Sequence, residues 1–185
     1  VPDRVKLFSA VVPPPEVVTA LRRELRSHRV EGDSALRWTA AARWHVTLGF
    51  YGHEPPEPRS RWLRERLSGQ AATEVRLAGA GSFRGVLWLG VRGEGLSALA
   101  EAARPECGDR PYVGHLTLAL ARRGTHREDR AARAAIERWR RSLTAFAGPA
   151  WTAREVVLLR SDPAGEPGAG PRYGVVDRIG LDVPR

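Results

Sequence analysis

Apolar and polar positions alternate along this chain in two rhythms. VKLFSAVV (5–12) is an apolar run poor in helix formers and reads as a strand. Prolines at 13–15 suit a helix start, and Val17, Leu21 and Leu25 then recur every four residues as one apolar stripe. LRW (36–38) and RWHVTLGFYG (43–52) predict strands. EPPEPRSRWLRERL (54–67) predicts a Pro-led helix with Trp62, Leu63 and Leu67 on its buried side. EVRLAGAG (74–81) and VLWLGV (86–91) pair across the turn-rich SFRG, and GLSALAEAA (95–103) is a short helix ending before Pro105. YVGHLTLAL (112–120) predicts a strand and REDRAARAAIERWRRSL (127–143) a long Arg-rich helix. REVVLLRS (154–161) and RYGVVDRIGL (172–181) are closing strands around a Gly/Pro-rich loop, expected to be mobile.

Strands mixed with helices make an α+β protein. Each half runs strand, helix, strand and helix, which suggests an internal duplication with one lobe per half. Its period is too long for a solenoid.

Composition narrows this only slightly. With 185 residues and 42% apolar content, the chain suits one domain (1–185), or two small lobes sharing a core. No apolar run has the length of a membrane span, and the N-terminus lacks the order of a signal peptide. Cys107, the single cysteine, cannot form an internal disulfide or by itself a zinc site. A soluble cytoplasmic monomer is the expectation. The formal charge of +9 favours anionic partners such as RNA or phosphorylated metabolites. Lys6 is the only lysine, however, and abundant arginine is also the mark of a GC-rich coding sequence. The glycines of the loop and of GAGSFRG are not a phosphate-binding P-loop, because no Gly-Lys-Ser/Thr follows them.

The chemistry is carried by a repeated frame. His-Val-Thr-Leu at 45–48 and His-Leu-Thr-Leu at 115–118 use two of only five histidines. On a strand, His45 and Thr47 share one face, and so do His115 and Thr117, while Val46, Leu48, Leu116 and Leu118 face the core. A pseudo-twofold axis between duplicated halves would bring the two polar faces into one cleft. Two imidazoles near neutral pH can supply a general acid and a general base together. Two Thr hydroxyls can hold the non-bridging oxygens of a phosphate. Displacement at phosphorus follows, with no metal and no cofactor. A lone His-x-Thr would read as a packed or solvated histidine, and two His without Cys, Asp or Glu are a poor metal set.

These motifs resemble those of the 2H phosphoesterase superfamily, above all the bacterial RNA 2′,3′-cyclic phosphodiesterases, also known as 2′-5′ RNA ligase-like proteins. The resemblance extends over LFSAVVPP, LRWTAAARWHVTLGFYG, RPYVGHLTLALAR and LLRS with Tyr173. It implies a bilobal α+β fold, two antiparallel sheets facing across a central cleft with helices outside. It also implies metal-independent hydrolysis of a 2′,3′-cyclic phosphate on RNA ends to a 2′-phosphate, with 2′-5′ joining as the reverse. By position, His45 matches the proton donor to the 3′ oxygen and His115 the base that activates water. Thr47 and Thr117 match the phosphate-holding hydroxyls. The family's basic residue after the second motif is replaced here by Leu120, for which Arg122 or Arg123 are candidates to substitute. Its proline before the second His is replaced by Gly114.

Around the pair, Tyr51 has the parity of His45 and Thr47, so it either stacks on a base in the cleft or sits unused on the rim. Phe50 has core parity. Arg37 and Trp38 are further candidates for the phosphate and base, or else a solvated Arg beside a buried Trp. His28, His53 and His126 are expected in solvent. The arginines of the long helix form a solvated face or an electrostatic funnel for RNA. Two alternatives stand: a phosphodiesterase for small cyclic nucleotides or ADP-ribose cyclic phosphate, and a non-catalytic RNA-binding module.

Overall fold

In the computed structural model, residues 3–28, 33–105, 111–122, 124–165 and 170–183 are described. Along the chain run β1 (Val5–Val11), α1 (Pro15–Ser27), β2 (Leu36–Trp38), β3 (Val46–Glu54), α2 (Pro56–Leu67), β4 (Thr73–Phe83) and β5 (Val86–Arg92). They continue with α3 (Leu96–Ala103), β6 (His115–Ala121), α4 (His126–Ser142), β7 (Ala147–Ala153), β8 (Glu155–Asp162) and β9 (Arg172–Gly180). Pro15 and Pro56 occupy the first turns of α1 and α2, where the missing N–H costs no hydrogen bond. Thr125 opens α4 through a capping box, its hydroxyl accepting from the Glu128 amide while the Glu128 carboxylate accepts from its own.

The strands form one strongly curled antiparallel sheet in the order β7-β4-β5-β6-β3-β1-β8-β9, with β2 added to β6. The two motif strands meet at a single pair, Val46 with Leu116. Around that seam the path falls into β7-β4-β5-β6 with β2, and β3-β1-β8-β9. The expected strands all form, and one more does. β7, AGPAWTA, carries Pro149 and lies at the end of the sheet, the place where a residue without an N–H breaks no ladder.

Leu21, Leu63, Leu67, Leu99, Trp139 and Leu143 bring the helices onto the core, where Leu7, Leu77, Leu87, Leu89 and Leu116 are almost wholly buried. Trp62 is only partly buried, with the Arg59 guanidinium over its ring at 4.4 Å.

The sheet departs from strict alternation where it matters most. Ser9 pairs with Gly49 and Ala10 with Thr47, so Leu48 is an extra residue in β3. Leu87 pairs with Ala119 and Trp88 with Thr117, so Leu118 is likewise extra in β6. Both His-x-Thr frames thus bulge at the residue after the threonine. A bulge leaves two successive side chains on one side, and alternation resumes one residue late. Leu48 and Gly49 are both buried, as are Leu118 and Ala119.

Candidate active site

His45 directly precedes β3 and His115 opens β6, so each imidazole sits at the entry to its strand. The His45 Nδ1 lies 2.7 Å from the carbonyl of Arg43, and the His115 Nδ1 lies 2.9 Å from that of Val113. A carbonyl only accepts, so each Nδ1 carries the proton and each Nε2 is left for other chemistry. The ring of His45 is packed by Phe8 at 5.0 Å and Tyr173 at 5.2 Å. That of His115 is packed by Phe83 at 5.4 Å and Trp88 at 5.9 Å. Each frame therefore repeats the other in backbone, tautomer and aromatic support.

A cleft of about 330 Å³ is lined by His45, Thr47, His115 and Thr117, so the four frame residues share one space. Lys6, Arg37 and Arg43 bring positive charge to its walls. Burial holds the His45 imidazole below its ordinary value of 6.5, opposed by the bond to Arg43 and aided by repulsion from His115. Tyr112 ties the frames together, its hydroxyl donating to the Thr47 carbonyl at 2.9 Å. Gly114 fits tightly before the second frame. A Cβ there would lie 2.8 Å from the Leu96 side chain, which explains why the position does not hold proline.

The bulge overturns two expectations. Tyr51 is buried rather than on the cleft, 7% exposed, and its hydroxyl donates to the Ala103 carbonyl at 2.7 Å. The same oxygen lies 2.7 Å from the fully buried Ser9 hydroxyl. Burial pushes the Tyr51 hydroxyl up to about 12. Phe50, expected in the core, is 66% exposed and lines the cleft. The extra Leu48 moves Phe50 to the cleft face and Tyr51 to the opposite one, and Tyr51 is itself the unpaired residue of a second register shift, between Phe50 and Gly52.

Arg37 and Trp38 both line the cleft, Trp38 half-buried against the edge of Trp139 at 4.8 Å. Arg37 is paired in register with Leu120, so its side chain stands beside the position that lacks a basic residue. Arg122 does not line the cleft; its side chain is exposed and its amide donates to the Ala35 carbonyl at 2.9 Å. Arg123 lies outside the described residues. Sequence reasoning missed Phe8, Arg43 and Ser161 and gave Tyr173 only a place in a closing strand, yet all four line the cleft. The pairing of β1 and β8 brings Phe8 opposite Leu159. Period-two patterning cannot reveal such a neighbour. Of the other histidines, His53 and His126 are exposed, while His28 is half-buried against Glu24 at 2.9 Å.

A curled antiparallel sheet here brings two imidazoles and two threonine hydroxyls into one cationic cleft, a set of groups suited to displacement at phosphorus. The family model described as LigT like Phosphoesterase matches residues 11–88. TT0787 of Thermus thermophilus is 26% identical, covering 95% of this chain and 97% of its own, with a TM-score of 0.70. E. coli LigT in apo form is 25% identical, covering 97% of this chain and 98% of its own, also at 0.70. E. coli LigT complexed with 3′-AMP is 25% identical over 97% of this chain and 99% of its own, at 0.69. No curated protein matches the chain significantly. Over residues 11–88 the chain is thus similar to the LigT-like phosphoesterases, and over nearly its whole length it shares the fold of LigT and TT0787.

Among the described residues, no helix is long and apolar enough to cross a membrane.

Proposed function

We propose that this protein is a phosphoesterase that opens the 2′,3′-cyclic phosphate at an RNA end to a 2′-phosphate by paired acid–base catalysis without a metal. The observation that carries the reading is the matched Nδ1–carbonyl bond in both frames, which leaves two Nε2 atoms for one cleft. His115 Nε2 takes a proton from water as the water oxygen bonds to phosphorus. The bond from phosphorus to the 3′ oxygen breaks, and His45 Nε2 protonates that oxygen. Thr47 and Thr117 donate hydrogen bonds to the non-bridging oxygens, and the nearby cations balance the charge that builds on them. With a 5′ hydroxyl in place of water, the same steps form a 2′-5′ bond, and their reverse would break one.

Burial alone would leave His45 a weak proton carrier. An anionic phosphate beside it raises its affinity for the proton, so substrate binding readies the acid. The exposed Phe50 ring offers a face on which a base can stack. E. coli LigT has been crystallised with 3′-AMP and with ATP, which supports a nucleotide in this cleft. The shared bulge of the two frames supports their origin by duplication, with one lobe on each side of the seam.

The test is cleavage of a short RNA ending in a 2′,3′-cyclic phosphate, with chelator present. Wild type should yield a 2′-phosphate, and His45→Ala and His115→Ala should lose turnover by at least about a hundredfold while staying folded. Near-wild-type rates in either variant would overturn the assigned roles. A bell-shaped pH profile is expected, its two apparent values belonging to the pair. Comparing RNA with 2′,3′-cyclic mononucleotides or ADP-ribose cyclic phosphate addresses the small-ligand alternative. Salt-sensitive RNA binding with no turnover at all would point to a binding module.

A further inference from the structure

Trp38 and Thr39 line not only the cleft but also a second cavity, of about 450 Å³. Its other walls include the buried indoles of Trp44 and Trp139 and, from α1, the side chains of Arg22 and Arg26. The Trp38 ring is held between the two spaces by the edge of Trp139 at 4.8 Å. Arg22 and Arg26 are exposed and one helical turn apart, and Arg26 Nε donates to the Arg22 carbonyl at 3.2 Å. Among the described residues neither guanidinium has an acidic partner. The carboxylate between them, Glu24, is taken by His28 at 2.9 Å.

The contrast with α4 is direct. There Glu137 pairs with Arg140 at 2.7 Å and Arg141 at 3.4 Å, so part of that basic face is already neutralised. Arg22 and Arg26 of α1 are thus cations available to a polyanion next to the cleft. Lys6, Arg37 and Arg43 line the cleft, Arg22 and Arg26 line the adjoining cavity, and an indole stands at the junction.

An apolar ligand would have no use for two guanidiniums, and a simple anion no use for the half-buried Trp38 ring beside them. A nucleotide needs both. Interleaved cations and aromatic rings along a groove are how proteins follow a single strand without reading its sequence.

Resting on the reading of the cleft given above, we propose that this second cavity holds the nucleotide on the 5′ side of the one bearing the cyclic phosphate. The substrate is then an oligonucleotide end in preference to a mononucleotide. Arg22 and Arg26 take the phosphate that joins the two nucleotides, and the base lies against the half-buried ring of Trp38.

The experiment compares kcat/KM for a 2′,3′-cyclic mononucleotide and for a tetranucleotide ending in the same group, using wild type and the Arg22→Ala/Arg26→Ala variant. Wild type should prefer the tetranucleotide by about tenfold or more, and the variant should lose most of that preference while turning over the mononucleotide unchanged. The slope of log kcat/KM for the tetranucleotide against log salt should become shallower by about 0.7, one phosphate contact on a single strand. Indifference of wild type to length, or a variant that keeps the preference, overturns the proposal. So does an equal loss on both substrates, which would mark a structural role. Binding of a labelled tetranucleotide ending in a 2′-phosphate, followed by fluorescence anisotropy, separates this proposal from the catalytic reading. If no cyclic phosphate is turned over but the variant still binds about tenfold more weakly, the catalytic reading fails and the nucleotide cavity stands. Equal binding by both proteins removes the cavity.

Discussion

Replacing Tyr51 with Phe removes one oxygen and tests the bulge that decides which residues reach the cleft. That oxygen donates to the Ala103 carbonyl at 2.7 Å and lies 2.7 Å from the Ser9 hydroxyl, which is 0% exposed. Because burial pushes the Tyr51 hydroxyl up to about 12, the proton that makes the first bond stays in place across the working pH range. Tyr51→Phe strands a buried hydroxyl and a buried carbonyl, each worth roughly 1–3 kcal/mol when left unpaired. The ring itself remains against Trp62 at 6.0 Å and under Arg59 at 4.4 Å, so no cavity opens. The expected loss is about 2–4 kcal/mol. In a domain of this size that lowers Tm by roughly 5–15 °C. Urea unfolding followed by tryptophan fluorescence reads the stability, and kcat and KM on a cyclic-phosphate RNA read the site. Stability should fall while both kinetic constants hold at 25 °C. Ser9→Ala added to Tyr51→Phe should recover part of the loss, since it removes the stranded donor. A variant as stable as wild type but with raised KM would put Tyr51 in the cleft and refute the register described here.

Phe50→Ala is the converse. With the ring 66% exposed, Tm should hardly change, while KM rises by about tenfold or more through the lost base stacking; an unchanged KM would remove the stacking role. Gly49→Ala places a Cβ 2.5 Å from the Ala103 carbonyl oxygen, so β3 must shift, and a loss of roughly 1–3 kcal/mol should appear in urea unfolding. For His45, the folded value lies below the unfolded 6.5, so between those values the unfolded chain binds more protons. Its contribution to stability is therefore full above 6.5 and is lost as pH falls towards the folded value. His45→Asn should flatten the decline in urea midpoint between pH 7.5 and pH 5, and an unaltered slope would contradict the buried neutral imidazole.

Much of the fold was legible because its elements are locally consistent. Val17 and Leu21 mark the buried stripe of α1 as the four-residue spacing predicts, and Pro15 and Pro56 mark two helix starts. β7 escaped notice because Pro149 argues against a strand everywhere except at a sheet edge, and edges are a tertiary fact. The four frame residues were legible because strand parity holds from His45 to Thr47 and from His115 to Thr117. One residue later it fails. Leu48 and Leu118 have no partner across their ladders, and no residue type at those positions announces a bulge. Tyr51 and Phe50 were therefore exchanged in the reading. Arg37 illustrates another boundary of sequence reasoning, since its place opposite Leu120 depends on β2 pairing with a strand some eighty residues away in sequence.

The repeated frame does more than supply two histidines. Identical imidazoles in identical surroundings would compete for one proton without direction, because charge on either opposes charge on the other. Here the backbone treats them alike and each ring lies between two aromatic side chains. Those side chains come from different strands, Phe8 of β1 and Tyr173 of β9 for His45 and Phe83 of β4 and Trp88 of β5 for His115. Both Nδ1 atoms are committed to a carbonyl two residues earlier, so both rings present the same nitrogen. Yet His45 is held in a half-buried setting by Phe8 and Tyr173, and burial lowers its proton affinity. His115, between Phe83 and Trp88, belongs to the other half of the sheet. Burial thus disfavours the proton on His45, and in the proposed mechanism an anionic phosphate in the cleft would favour it. In that proposed mechanism the acid is readied by the substrate's own phosphate. Local repetition sets the geometry of the pair, and the two sides of the seam contribute a different aromatic pair to each imidazole.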